Sequence, residues 1–224
     1  MLLNSWDDWL VLTLILFAGA ASPGPSLAVV MQTALREGRH AGFWVALGHG
    51  CGILFYAGAV TLGLASMLAA LPALSLLLQA AGALFLLYLA VNMLRSAWLD
   101  NPSASPEAAA QSAQVTHTEI ATETRLRTAG AGFLLVFLNP KIAVFFLAVF
   151  SQFVSSNMPL PDQVSVAIIA GGIDAGWYAL IAIVVTLPQA NRLIQAQLNR
   201  LDGLFGLTLI ACALWLLVDL VKRF

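Results

Sequence analysis

Two short strings carry the clearest chemistry: Ser22-Pro23-Gly24-Pro25-Ser26 and Asn139-Pro140-Lys141. Ser and Asn are favoured helix N-caps, and proline is favoured at the position that follows. Ser22-Pro23 and Asn139-Pro140 both have this order, and Gly24-Pro25 offers a second version of the first. Each pair suits the end of one half-helix and the start of another. A helix N-terminus has unpaired N–H groups and about half a positive charge, which makes it a ready site for an anion such as a carboxylate. For any single proline, a packing kink is the plainer reading. Two matched pairs favour function.

Three ionisable residues lie in apolar surroundings: Lys141, Asp174 and His49. A charge at mid-membrane costs on the order of 2.5–3.5 kcal/mol on insertion scales, so such residues face a cavity or each other. Lys141 and Asp174 have similar depth on consecutive antiparallel spans and fit one aqueous pocket. Asp174, Trp177 and Tyr178 share a helix face at i, i+3 and i+4. A carboxylate beside two aromatic rings suits an ammonium group. Lys141 and the half-helix N-termini suit a carboxylate. Together they describe a receptacle for a small zwitterion. The alternatives are a structural Lys141–Asp174 ion pair and a coupling proton carried on Asp174. His49, between Gly48 and Gly50, reads first as a packed or water-facing histidine and second as a site residue.

Asn92 and Gln79 suit hydrogen bonds between helices. Cys51 and Cys212 have no metal or CxxC spacing and read as packing residues. Gly48, Gly50 and Gly52, and Gly171, Gly172 and Gly176, suit close helix approach.

These residues need lipid-embedded helices to hold them. Of 224 residues, 60% are apolar and 9% charged, against about 45–50% and ~25% in soluble domains. A net charge of -1 argues against a nucleic-acid partner. Six apolar runs approach or exceed the roughly 20 residues that span a bilayer: Trp9–Leu35, Ala41–Leu64, Leu74–Leu94, Gly130–Phe153, Val164–Leu187 and Leu204–Leu220. Period-2 alternation is absent, so the expected fold class is an all-α integral membrane protein. The polar stretch Asn191–Arg200 reads as an amphipathic interfacial helix. Residues 1–10 contain Asp7 and Asp8 and no Lys or Arg, which reads as a retained span rather than a signal peptide.

Leu99–Thr128 is rich in Ala, Ser, Thr and Gln and reads as a linker. It divides the chain into halves of three spans, 1–98 and 129–224, within one membrane domain. An odd number of spans per half inverts the second half. Both breaks fall in the first span of their half, and both second spans are glycine-rich. The expectation is a 3+3 inverted repeat with helices one and four broken at prolines. Loops one, three and five carry Arg36, Arg39, Arg95, Arg125, Arg127, Arg192 and Arg200, while the opposite side has only Lys222 and Arg223. This asymmetry places both termini outside the cytoplasm.

With the breaks placed, the sequence resembles the LysE/RhtB family of amino-acid exporters. The resemblance rests on SPGPS at 22–26, the span-two glycines, LYLAVNMLRSA at 87–97, FLNPKIAVFFLAVFSQFV at 137–154 and GGIDAGWY at 171–178. The family's first motif often continues with Asn or Asp where this chain has Ser26. Its fourth-span motif often ends Pro-Gln-Phe where this chain has Ser151-Gln152-Phe153. The first departure bears on polar contacts at the break, and the second reads as a change at a helix end. The resemblance implies proton-driven efflux of amino acids or close derivatives through a bacterial inner membrane. It implies no enzyme activity and no cofactor. The substrate site expected from the breaks and the deep charges is Pro23, Gly24, Pro25, Ser26, Asn139, Pro140, Lys141, Asp174, Trp177 and Tyr178, with His49. No Walker-type loop is present. The partners expected are a small zwitterion and membrane lipid, with a homo-oligomer left open.

Rival classes fit less well. A metal-ion exporter needs several carboxylate or His ligands, and Lys141 would repel a cation. Gly24-Pro25-Ser26 with His49 lacks the final glycine of a serine nucleophile elbow. Redox carriage needs cysteines at the breaks. A purely structural subunit leaves the deep charges unexplained.

Overall fold

The computed structural model describes residues 6–22, 24–70, 73–98, 124–187 and 203–218. Among these there are eight helices and no strand: α1 (Trp6–Ala21), α2 (Pro25–Glu37), α3 (Arg39–Ala70), α4 (Ala73–Trp98), α5 (Thr124–Leu138), α6 (Pro140–Phe153), α7 (Leu160–Val184) and α8 (Gly203–Val218). Backbone satisfied within the segment is what an apolar solvent demands. Large apolar side chains such as Phe55, Leu77, Leu84 and Tyr88 stay exposed on the outer faces, and lipid is the solvent that suits them.

Among the described residues, three helices are long and apolar enough to cross a membrane alone: within α3, within α4, and α7. Two bent pairs, α1 with α2 at 57° and α5 with α6 at 64°, bring the candidate crossings to as many as five where each pair counts as one span. Expected spans one and four are therefore two helices each. The expected sixth span is the shorter apolar helix α8, whose 16 residues reach only about 24 Å at 1.5 Å per residue. The expected linker also ends earlier than its composition suggests, because Thr124–Thr128 form the first turns of α5. Its remainder, 99–123, lies outside the described residues, as does the amphipathic stretch at 191–200.

The core is organised around α3, which packs most extensively on α7 and α5. Glycines permit this. A Cβ on Gly50 would overlap Ala175 and lie 2.9 Å from the Gly171 carbonyl oxygen; one on Gly171 would lie 2.8 Å from that of Gly50. Gly42 lies against Ala182, and Gly58 against Ala167, so α3 and α7 run antiparallel. Gly48 and Gly52 instead admit α5, through Ala129 and Val136. Gly172 and Gly176 have no neighbour within 4 Å of a built Cβ, so the expectation of close approach does not extend to them.

The packing of α4 on α6 is also polar. The Ser151 hydroxyl donates to the Leu78 carbonyl at 3.0 Å, and the Gln152 amide donates to the Gln79 carbonyl. The Ser-Gln departure noted at this helix end is thus an interhelical tether. Cys51 is exposed and Cys212 buried; both are free thiols.

Candidate functional site

The two breaks meet. α2 starts at Pro25 with extended Gly24 as its N-cap, so the second of the two cap-proline readings is the one the backbone adopts. Ser22 instead continues from α1, its N–H bonded to the Ala18 carbonyl. Pro23 lies outside the described residues. α6 starts at Pro140 with Asn139 as N-cap, and the Asn139 carbonyl Oδ1 accepts from the Lys141 N–H at 3.0 Å. Asn139 then uses its other end across the gap, donating from Nδ2 to Ser26 Oγ at 3.0 Å. Lys141 reaches the same way: its Nζ donates to Ser22 Oγ at 2.8 Å. A Cβ on Gly24 would stand 3.4 Å from that ammonium nitrogen. The first break is therefore held to the second by two side-chain bridges.

The breaks border a cavity of about 50 Å³, room for a few water molecules. Ser22, Gly24 and Ser26 line it from the first break, and Asn139 and Lys141 from the second. His49 and Ile53 enter from α3, and Ala170, Asp174 and Tyr178 from α7. Leu16, Gly19, Phe145 and Phe146 supply apolar wall.

The same cavity is lined by a buried acid. The His49 Nδ1–H donates to Asp174 Oδ2 at 2.6 Å, with His49 1% and Asp174 6% exposed. Burial this deep is tolerated for an ionised group only with a hydrogen-bonded partner. The His49 ring lies 4.9 Å from that of Tyr178, and the Tyr178 hydroxyl is hydrogen-bonded with Ser26. His49, the weakest of the sequence candidates, is thus the acid's direct partner.

Seven expected site residues come together here: Gly24, Ser26, His49, Asn139, Lys141, Asp174 and Tyr178. Pro25 and Pro140 open the two half-helices. Trp177 does not join them. Its ring packs edge-on against Phe17 at 5.1 Å and near Phe205 at 6.1 Å, so only one of the two expected aromatic rings stands beside Asp174. An i, i+3 step from Asp174 carries Trp177 round the helix toward α1 and α8. Ser22 is the polar residue that the sequence read only as a cap. Its position four residues before Ser26, across a turn-forming Pro-Gly-Pro, is the available signal. Among the described residues no three of His, Cys, Asp and Glu gather to hold a metal ion.

A cavity between two helix breaks, with a lysine and a buried acid in its wall, suits a translocator better than a catalyst. The LysE type translocator family matches residues 17–220. The chain belongs to this family. Its members are transporters and not enzymes, and so is this LysE type translocator. It is 27% identical over 202 residues to a threonine efflux protein of Escherichia coli (strain K12), covering 88% of this chain and 91% of the other. It is 29% identical over 185 residues to a threonine efflux protein of Salmonella typhi, covering 83% and 85%. An uncharacterised membrane protein of Pseudomonas aeruginosa is 38% identical over 141 residues, 62% of this chain and 60% of that one. No solved structure matches the chain significantly. These likenesses lend no support to the metal-ion alternative.

Proposed function

We propose that this translocator is a secondary-active exporter of an amino acid or close derivative, driven by the proton gradient across a bacterial inner membrane. The observation that carries the reading is the convergence of Lys141 and two half-helix N-termini on one cavity with the Asp174 carboxylate. An α-carboxylate suits Lys141 and the N–H groups that begin α2 and α6. An α-ammonium suits Asp174. The remaining apolar wall suits a short side chain. The threonine efflux proteins among its relatives support a substrate of this size.

Alternating access follows from a 3+3 inverted repeat, with halves 1–98 and 129–224 joined by the linker and with α8 as the sixth crossing. The antiparallel α3–α7 crossing, reciprocal at Gly50 and Gly171, supports it, as do two bent pairs that each restart at proline. The basic loops support a cytoplasmic linker and external termini.

The test is flux through purified protein in vesicles, with a panel of radiolabelled amino acids and an imposed pH gradient. At least one amino acid should move against its gradient, and Lys141→Met should slow the movement at least tenfold at low substrate concentration. A panel in which none moves, while a divalent cation does, would overturn the reading.

A further inference from the structure

The carboxylate that suits an ammonium group is already engaged on one side by His49. The second ring nitrogen, Nε2, is buried and has no hydrogen-bond partner among the described residues, although leaving a buried polar atom unpaired is unfavourable. With Nδ1–H fixed on a carboxylate, the lone pair of a neutral imidazole lies at Nε2, where a proton adds. The ring also lines the cavity. A receptacle for a zwitterion needs only the acid; the histidine with its spare nitrogen is additional.

We infer that the His49–Asp174 pair is where proton and substrate exchange: a proton on His49 Nε2 and the ammonium group of the substrate exclude one another. This rests on the export reading above. With Nε2 unprotonated, the pair carries one negative charge and attracts an ammonium group. A proton from water forms an N–H bond at Nε2, the ring becomes an imidazolium, and the net charge of the pair falls to zero. The ammonium loses its counter-charge, meets a cation and leaves. Release of that proton to water on the other side restores the negative charge. One proton thus enters for each ammonium exported. Nε2 is enclosed in this conformation, so it takes up its proton when the cavity opens to one side.

The groups around the pair leave the exchange to it. α1 and α2 bring no acid or base to the cavity, only Ser22 and Ser26. Gly132 of α5 lies against the His49 backbone, and Arg125 of the same helix stands over Trp44, more than a turn away. α6 brings Asn139 and Lys141, the latter bonded to Ser22. α7 brings Asp174 itself and Tyr178, whose phenol is bonded with Ser26.

The experiment is calorimetric binding to the purified full chain in detergent, with two probes. One is threonine, or whichever amino acid the vesicle panel identifies; the other is its 2-hydroxy analogue, which has no ammonium. Amino-acid binding should weaken about tenfold per pH unit on the acid side and level off on the alkaline side, because the proton competes. On the acid side, in weak buffer, it should release about one proton per molecule bound, and on the alkaline plateau none. The 2-hydroxy analogue should bind without releasing a proton and without that pH slope. In His49→Gln the amide can still donate to Asp174 but takes no proton, so release should vanish and the profile flatten. Amino-acid binding to the wild type without proton release on the acid side overturns the inference alone. So does equal release by the analogue, or release that survives in His49→Gln. If that variant does not fold, the two probes on the wild type decide. Failure of every amino acid to bind overturns the export reading, and this inference with it.

Discussion

Lys141 has two jobs at one position: its backbone N–H is capped by Asn139 and its ammonium crosses the gap to Ser22. Removing the charge while keeping the stem separates them. A hydrogen bond to a charged group contributes about 1.5–3 kcal/mol, or roughly 10- to 150-fold at 1.4 kcal/mol per decade. Lys141→Met should therefore lower kcat/KM for amino-acid flux by that factor, mostly through KM, with Lys141→Arg recovering part of it. Asn139→Ala removes a cap and the Ser26 bridge together. Loss of a cap costs about 1 kcal/mol, so this variant should melt at a lower temperature in detergent, as measured by thermal unfolding. Should Asn139→Ala melt like the wild type, the bridge between the breaks contributes nothing to stability.

Helices α3 and α7 approach through glycine, and that contact can be tested without touching the cavity. Gly171→Ala puts a methyl 2.8 Å from both the Gly50 carbonyl oxygen and the Leu54 Cβ. Overpacking of this kind costs about 1–3 kcal/mol, so its melting temperature should fall. Gly172→Ala and Gly176→Ala meet nothing within 4 Å. There the helix-propensity gain of alanine, about 0.8–1 kcal/mol, should be felt unopposed, and melting should rise or hold. A fall of equal size at all three positions would show that flexibility, and not close contact, is what these glycines supply. The contrast marks what was legible in the sequence. Apolar length and cap-proline pairs announced the spans and breaks because both are local properties. Which glycine faces a neighbour depends on helix rotation, which composition does not encode. The same holds for Trp177: sharing a face with Asp174 within one turn does not decide which side of Asp174 meets the cavity. The His49–Asp174 pairing joins residues 125 positions apart, a separation no motif spans.

At the scale of the whole molecule, the proposed alternating access requires the α3–α7 contact beside the site to open at one end and then at the other. α3 and α7 run antiparallel, with Gly42 against Ala182 at one end and Gly58 against Ala167 at the other. A Cβ on Gly58 would lie 3.8 Å from that of Ala167, within the span of a disulfide, about 3.5–4.5 Å. In a background with Cys51 and Cys212 replaced by serine, Gly58→Cys with Ala167→Cys should cross-link on oxidation. If the halves rock about the breaks, the cross-link locks that end shut. Flux in vesicles should then fall at least tenfold and return on reduction, while amino-acid binding from the opposite side persists. The single cysteine variants under the same oxidant provide the control. Full transport through the oxidised double variant would mean that this end of the α3–α7 contact stays closed throughout the cycle, and that substrate leaves through a movement of the bent pairs alone.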